Sequence, residues 1–136
     1  MQPTLTFLDT ETTGLPEKEP FLSEPNTGPE ITEYAIATWC DGNVTDIEHK
    51  LVMPQNPPEP DEEGTCRTLD GFPLSFRPDT WRGKAVHWNL TDCQTMRRRL
   101  DGQILAGSNP AFDMARIAWE HERVGVEPPQ WQHRKV

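Results

Sequence analysis

At 136 residues the chain has room for one domain with a modest core. A formal charge of −9 excludes wholesale wrapping of a nucleic-acid backbone, which needs a basic surface. It leaves room for a site that meets a strand end through metal ions, because such ions neutralise an acidic pocket locally.

Only 34% of residues are apolar and 14 are proline, about twice the usual proline share, so much of the chain must be loop. Cys40, Cys66 and Cys93 are odd in number and lack a C-x-x-C pairing, which argues against a disulfide framework or a structural zinc site. No apolar run suits a membrane span and the N-terminus shows no signal pattern. The expectation is a soluble protein of the cytoplasm.

Thr4 to Asp9 reads as a first strand, with Leu5, Phe7 and Leu8 as its apolar contacts. It leads into Asp9-Thr10-Glu11-Thr12-Thr13-Gly14-Leu15. Side chains at i and i+2 of a strand share a face, so Asp9 and Glu11 sit side by side. Their repulsion is costly unless a cation or a shared proton relieves it. A hard divalent ion held by oxygen ligands is the simplest relief, and on a nucleic-acid substrate it is also a catalyst.

From Pro16 to Glu30 the Pro- and Glu-rich run reads as surface loop. Ile31 to Cys40 alternates Tyr34, Ile36 and Thr38 with Ala35, Ala37 and Trp39, a second strand expected to be buried on both faces. Asp41-Gly42-Asn43 is a hairpin turn signal, and Val44 to Met53 forms a third strand, completing an antiparallel meander. Pro54 to Arg82 has neither helical nor strand period; a loop this long is either functional or poorly ordered.

Thr91 to Leu100 reads as a helix with Thr91 as N-cap, Asp92 in the first turn and Arg97, Arg98 and Arg99 near the end, a charge order matching the macrodipole. The arginine run reads as a solvated helix end. Ile104 to Gly107 is a short buried strand. Asn109 caps, and Pro110 opens, a second helix that carries Phe112, Ala115, Ile117, Ala118 and Trp119 and stops at Gly125. In its first turn lies Asp113, kept ionised by the helix dipole. On its own Asp113 is a favoured first-turn acid. After a strand ending in a small residue, it can also approach the Asp9/Glu11 edge.

Together these stretches resemble the DEDD exonucleases, the DnaQ-like family of 3′-to-5′ nucleases and proofreading subunits. Asp9 to Leu15 is similar to the first exonuclease motif, D-x-E-T-T-G-L. Ile31-Thr32-Glu33-Tyr34-Ala35 resembles the second-strand segment I-x-E-x-A, and Asn109 to Asp113 the second motif, N-x-x-F-D.

The resemblance implies a ribonuclease H-like α/β fold. Its mixed sheet starts with three antiparallel strands, continues with parallel strands and carries flanking helices. It implies hydrolysis of the terminal phosphodiester by two magnesium or manganese ions, about 4 Å apart. Asp9 would bridge both ions, Glu11 would bind the one on the nucleophile's side and Asp113 would support the second. Thr12, Thr13 and Leu15 would cradle the 3′-terminal nucleotide, with Asn109 and Phe112 as further substrate contacts. The implied partners are a nucleic-acid 3′ end, single-stranded, and a polymerase or another protein.

One part of the pattern is absent. The family's third motif, H-x-x-x-x-D or Y-x-x-x-D, supplies a fourth carboxylate and the general base, and no aspartate follows Asp113. His87 to Asp92 has the right spacing but precedes the second motif, so it reads as a decoy. Trp131 to Val136 resembles the start of the strand that leads to the third motif. The expectation is therefore a single, incomplete exonuclease domain over 1–136 with its C-terminal part missing. The rival expectation is a catalytically dead nuclease fold that binds nucleic-acid ends or a protein.

Overall fold

The computed structural model describes residues 4–14, 29–68 and 71–133. Leu15, the bulk of the Pro16–Glu30 loop, and Arg134 to Val136 lie outside the described residues, so the expectations placed on them are not addressed.

Five strands form one mixed sheet. β1 (Leu5–Thr12), β2 (Ile31–Cys40) and β3 (Asn43–Leu51) form the antiparallel part, while β4 (Ile104–Ala106) and β5 (Gln132–His133) continue it in parallel from β1. The spatial order is β3-β2-β1-β4-β5. Among the described residues three helices accompany it: α1 (Pro78–Trp81), α2 (Leu90–Leu100) and α3 (Pro110–Val124). Among the described residues no helix is long and apolar enough to cross a membrane.

The two faces of the sheet differ. Along β1, Thr6, Leu8, Thr10 and Thr12 are buried, whereas Asp9 and Glu11 are exposed. The buried face meets α2 and α3 in one core that includes Leu8, Ile36, Met96, Leu100, Leu105 and Ile117. The other face carries Phe7, Ala35 and Ala37 and is only half-buried. β2 is therefore not buried on both faces as its alternation suggests; the sheet has one dry side and one partly wet side. β1 also runs three residues beyond Asp9, which puts both acidic residues within the strand rather than at its end.

Helix α2 starts earlier than expected. Its N-cap is Asn89, whose side chain accepts from Thr91 N, while Asp92 reaches back to the Asn89 backbone to close a capping box. The cap side chain and the carboxylate three residues on each satisfy one amide donor, reciprocally.

The long segment from Pro54 to Arg82 is built around a second, small core. Cys66, Phe76 and Trp81 are buried together, with Leu51, Met53 and Leu74 packed against them. The Trp81 indole N–H donates to the Thr32 carbonyl at 2.7 Å, which ties this core to β2. The arginine run is not simply solvated. Arg98 and Arg99 both pair with Glu48 of β3, and Arg99 also donates to the Asp46 carbonyl.

Candidate functional site

The geometry begins with strand register. β1 and β4 run parallel with Phe7 opposite Ala106, so the chain leaving β4 passes beside Leu8. A Cβ at Gly107 would stand 3.1 Å from the Leu8 carbonyl oxygen, closer than nearly all real contacts of that kind. The missing side chain lets the start of α3 approach β1. Asp113, in the first turn of α3, then accepts a hydrogen bond from Thr10 Oγ1 at 2.5 Å.

Thr10 lies between Asp9 and Glu11, so Asp113 is fixed at the segment that carries the acidic pair. Two of the three carboxylates, Asp113 and Glu11, are raised. Burial, opposed by the Thr10 hydrogen bonds and reinforced by the charges of Asp9 and Glu11, pushes Asp113 up to about 6. Glu11 is also raised, first by burial and then by Asp9 and Glu33. Among the described residues no lysine or arginine pairs with Asp9, Glu11 or Asp113.

Three hard oxygen donors with unrelieved mutual repulsion suit a hard divalent cation. The closure is loose: among the described residues no three His, Cys, Asp or Glu side chains stand close enough to grip an ion as a ready-made group. The donor chemistry fits such an ion, with Asp9 and Glu11 as a pair and Asp113 approaching from the helix side.

The turn after β1 is held firmly. Thr13 N donates to the Glu30 carbonyl at 2.9 Å, and Glu30 N donates to Thr13 Oγ1 at 3.0 Å. The Thr12 hydroxyl is buried and donates to the Gly14 carbonyl, so it is engaged within the turn. At the other end of the site Asn109 occupies the N-cap position of α3 without a side-chain cap bond. This departs from its expected capping role and leaves its side chain exposed at the start of the helix that carries Asp113. Phe112 is half-buried.

Beside Asp9 a shallow cleft of about 300 Å³ opens on the half-buried face, with Phe7, Ala35, Ala37, Ile47 and Ser108 in its lining.

Two neighbours were not evident from sequence. Glu33 stands opposite Glu11 in the β1–β2 ladder, and its carboxylate meets the His49 imidazole of β3. His49 shares a ladder row with Asp9, the two separated by Ala35. An I-x-E segment hints at Glu33, but its pairing depends on a register that a long loop hides.

The His87–Asp92 pair has other roles. Asp92 is 1% exposed and accepts from the Tyr34 hydroxyl at 3.0 Å, Lys50 Nζ at 2.6 Å and Asn89 N at 3.0 Å. His87 is exposed and bonds the Met53 carbonyl through Nδ1. Both residues are engaged in structural contacts. No protein-family profile matches the chain, and no curated protein sequence matches it.

Proposed function

We propose that this chain carries the acidic centre of a metal-dependent 3′-to-5′ exonuclease on a ribonuclease H-like domain, acting on DNA or RNA ends in the cytoplasm. One observation supports the reading most. Asp113 is anchored to Thr10, the residue between Asp9 and Glu11 in β1, and the charges of Asp9 and Glu11 add to burial in raising it.

Asp9, Glu11 and Asp113 would hold two magnesium or manganese ions. When bound, the ions would stabilise charge on the attacking and leaving oxygens of an in-line phosphodiester hydrolysis. The chain's own residues bind and orient. The turn at Thr12–Thr13, held at Thr13 by Glu30, would cradle the terminal nucleotide. The exposed Asn109 amide and half-buried Phe112 flank Asp113, where a phosphate and a sugar would lie. A single-stranded 3′ end suits this narrow acidic edge, delivered by a polymerase or another protein partner.

A second reading has its own support. The only H-x-x-x-x-D of the chain is committed to structure through Asp92, and the three carboxylates do not form a closed group. Without a positioned base the rate falls by roughly 10²- to 10⁴-fold, which suits a degenerate fold that binds ends without cutting them. The test is degradation of a 5′-labelled single strand with manganese. The exonuclease reading expects single-nucleotide laddering that Asp9→Ala abolishes. Binding without laddering would favour the module, and laddering that survives Asp9→Ala would sink the exonuclease reading.

A further inference from the structure

Glu30 is 5% exposed, yet it lies in neither the acidic site nor the main apolar core. Both of its carboxylate oxygens are used: Oε1 accepts from Gln55 N at 2.7 Å and Oε2 from Asn56 N at 2.8 Å. Its backbone faces the other way and makes the two-bond clamp on Thr13. The carbonyl of the preceding Pro29 accepts from Arg116 Nη1 at 3.0 Å, one helical turn beyond Asp113 on α3. One residue thus joins the Thr12–Gly14 turn to the Gln55–Asn56 segment, and its neighbour joins both to the helix that carries Asp113.

A carboxylate that accepts from successive backbone amides makes charge-assisted bonds roughly twice as strong as neutral ones. Such a fork fixes the direction of the Gln55–Asn56 backbone as well as its distance. The side chains of Gln55 and Asn56 are exposed, on the segment that Glu30 ties to the turn following Asp9 and Glu11. Amide side chains on a rigid rim suit the sugar–phosphate backbone of a strand, which they contact without reading its sequence.

We propose that Glu30 is a positioning residue for nucleic-acid binding. It holds Gln55 and Asn56 in line with the Thr12–Gly14 turn, so that the two segments form one continuous rim for the strand whose end reaches Asp9. This rests on the nuclease reading of the acidic site. Glu30→Gln keeps the shape but replaces one acceptor with a donor, and Glu30→Ala removes both.

The experiment measures anisotropy of a 5′-fluorescein single strand, as DNA and as RNA, with calcium present, and manganese affinity by electron paramagnetic resonance. Losing one charge-assisted bond in Glu30→Gln should weaken strand binding about fivefold or more. KM should rise in parallel, while kcat at saturation and manganese affinity stay within about twofold of the parent, a loss confined to binding as expected for a positioning group. Gln55→Ala with Asn56→Ala should weaken binding in the same direction with no change in thermal midpoint.

Unchanged strand affinity in Glu30→Gln overturns the proposal. So does a joint fall of manganese affinity, kcat and thermal midpoint, which marks a general structural prop. A parent protein that binds strands but never ladders removes the nuclease reading and leaves the Glu30 comparison to be judged on affinity. A parent that neither binds nor ladders removes both.

Discussion

Two buried aspartates in this molecule have opposite surroundings. Asp92 is 1% exposed and accepts three hydrogen bonds, one from a lysine. Asp113 is 6% exposed, takes one side-chain hydrogen bond from Thr10, and is raised first by burial and then by the charges of Asp9 and Glu11. A buried carboxylate with a full set of donors is a structural part, whereas one buried with few donors and like charges in its field is relieved by a cation or a proton. Perturbed carboxylates of that second kind gather at functional sites. The contrast is between a carboxylate whose bonds are made, Asp92, and one whose bonds are few, Asp113.

The largest expected effect comes from breaking the satisfied partner. Asp92→Ala leaves Tyr34 and Lys50 without their acceptor and opens the capping box of α2. It should cost about 3 kcal/mol in urea unfolding. A loss below about 1 kcal/mol would mean that the Asp92 network is not holding α2 to the sheet.

Asp113→Asn should act in the reverse direction. The folded pKa of Asp113, about 6, stands above the 3.8 of an unperturbed aspartate. The stability it contributes is therefore fully present below about pH 4 and is lost as pH rises through 6. That gap corresponds to about 3 kcal/mol at most. In metal-free protein, Asp113→Asn should flatten this part of the pH–stability curve and gain about 2 kcal/mol at pH 7, while removing any manganese-dependent cleavage. An unchanged slope between pH 4 and 6 would show that Asp113 is not the strained group.

Gly107→Ala sharpens the comparison through geometry. The added methyl meets the Leu8 carbonyl and should push the start of α3 from β1, at a cost of about 1 kcal/mol. Cleavage should suffer more than stability, because Asp113 moves with the helix. His49→Gln should be the mildest change. Its partner Glu33 is 24% exposed and His49 54%, and a polar contact that open is worth less than about 1 kcal/mol.

Much of the fold follows from local pattern. The β2–β3 hairpin, the short β4 and the α3 start at Asn109-Pro110 are legible because turn chemistry and period agree there. The cap of α2 was missed by two residues, since Thr91 and Asn89 are both good caps and only the reach of Asp92 decides between them. The order of Pro54–Arg82 is illegible because Cys66, Phe76 and Trp81 meet through tertiary contacts with no regular spacing.

In the site, period two is enough to pair Asp9 with Glu11. Glu33 and His49 depend on ladder register, which shifts at Glu11/Thr12 and again at Ile36/Thr38; such irregularities leave little local trace. Glu30 is hidden for the same reason, since its carboxylate partners lie 25 and 26 residues away.

The central claim is that Asp9, Glu11 and Asp113 together hold a divalent cation. The direct measurement is thermal unfolding at pH 7 with and without manganese, in the parent and in Asp9→Ala. A ligand at 100 times its dissociation constant stabilises the folded state by about 2.7 kcal/mol, so the parent should melt several degrees higher with manganese. Asp9→Ala should show no such gain. A parent that ignores manganese, or an Asp9→Ala protein that gains as much, would contradict the account.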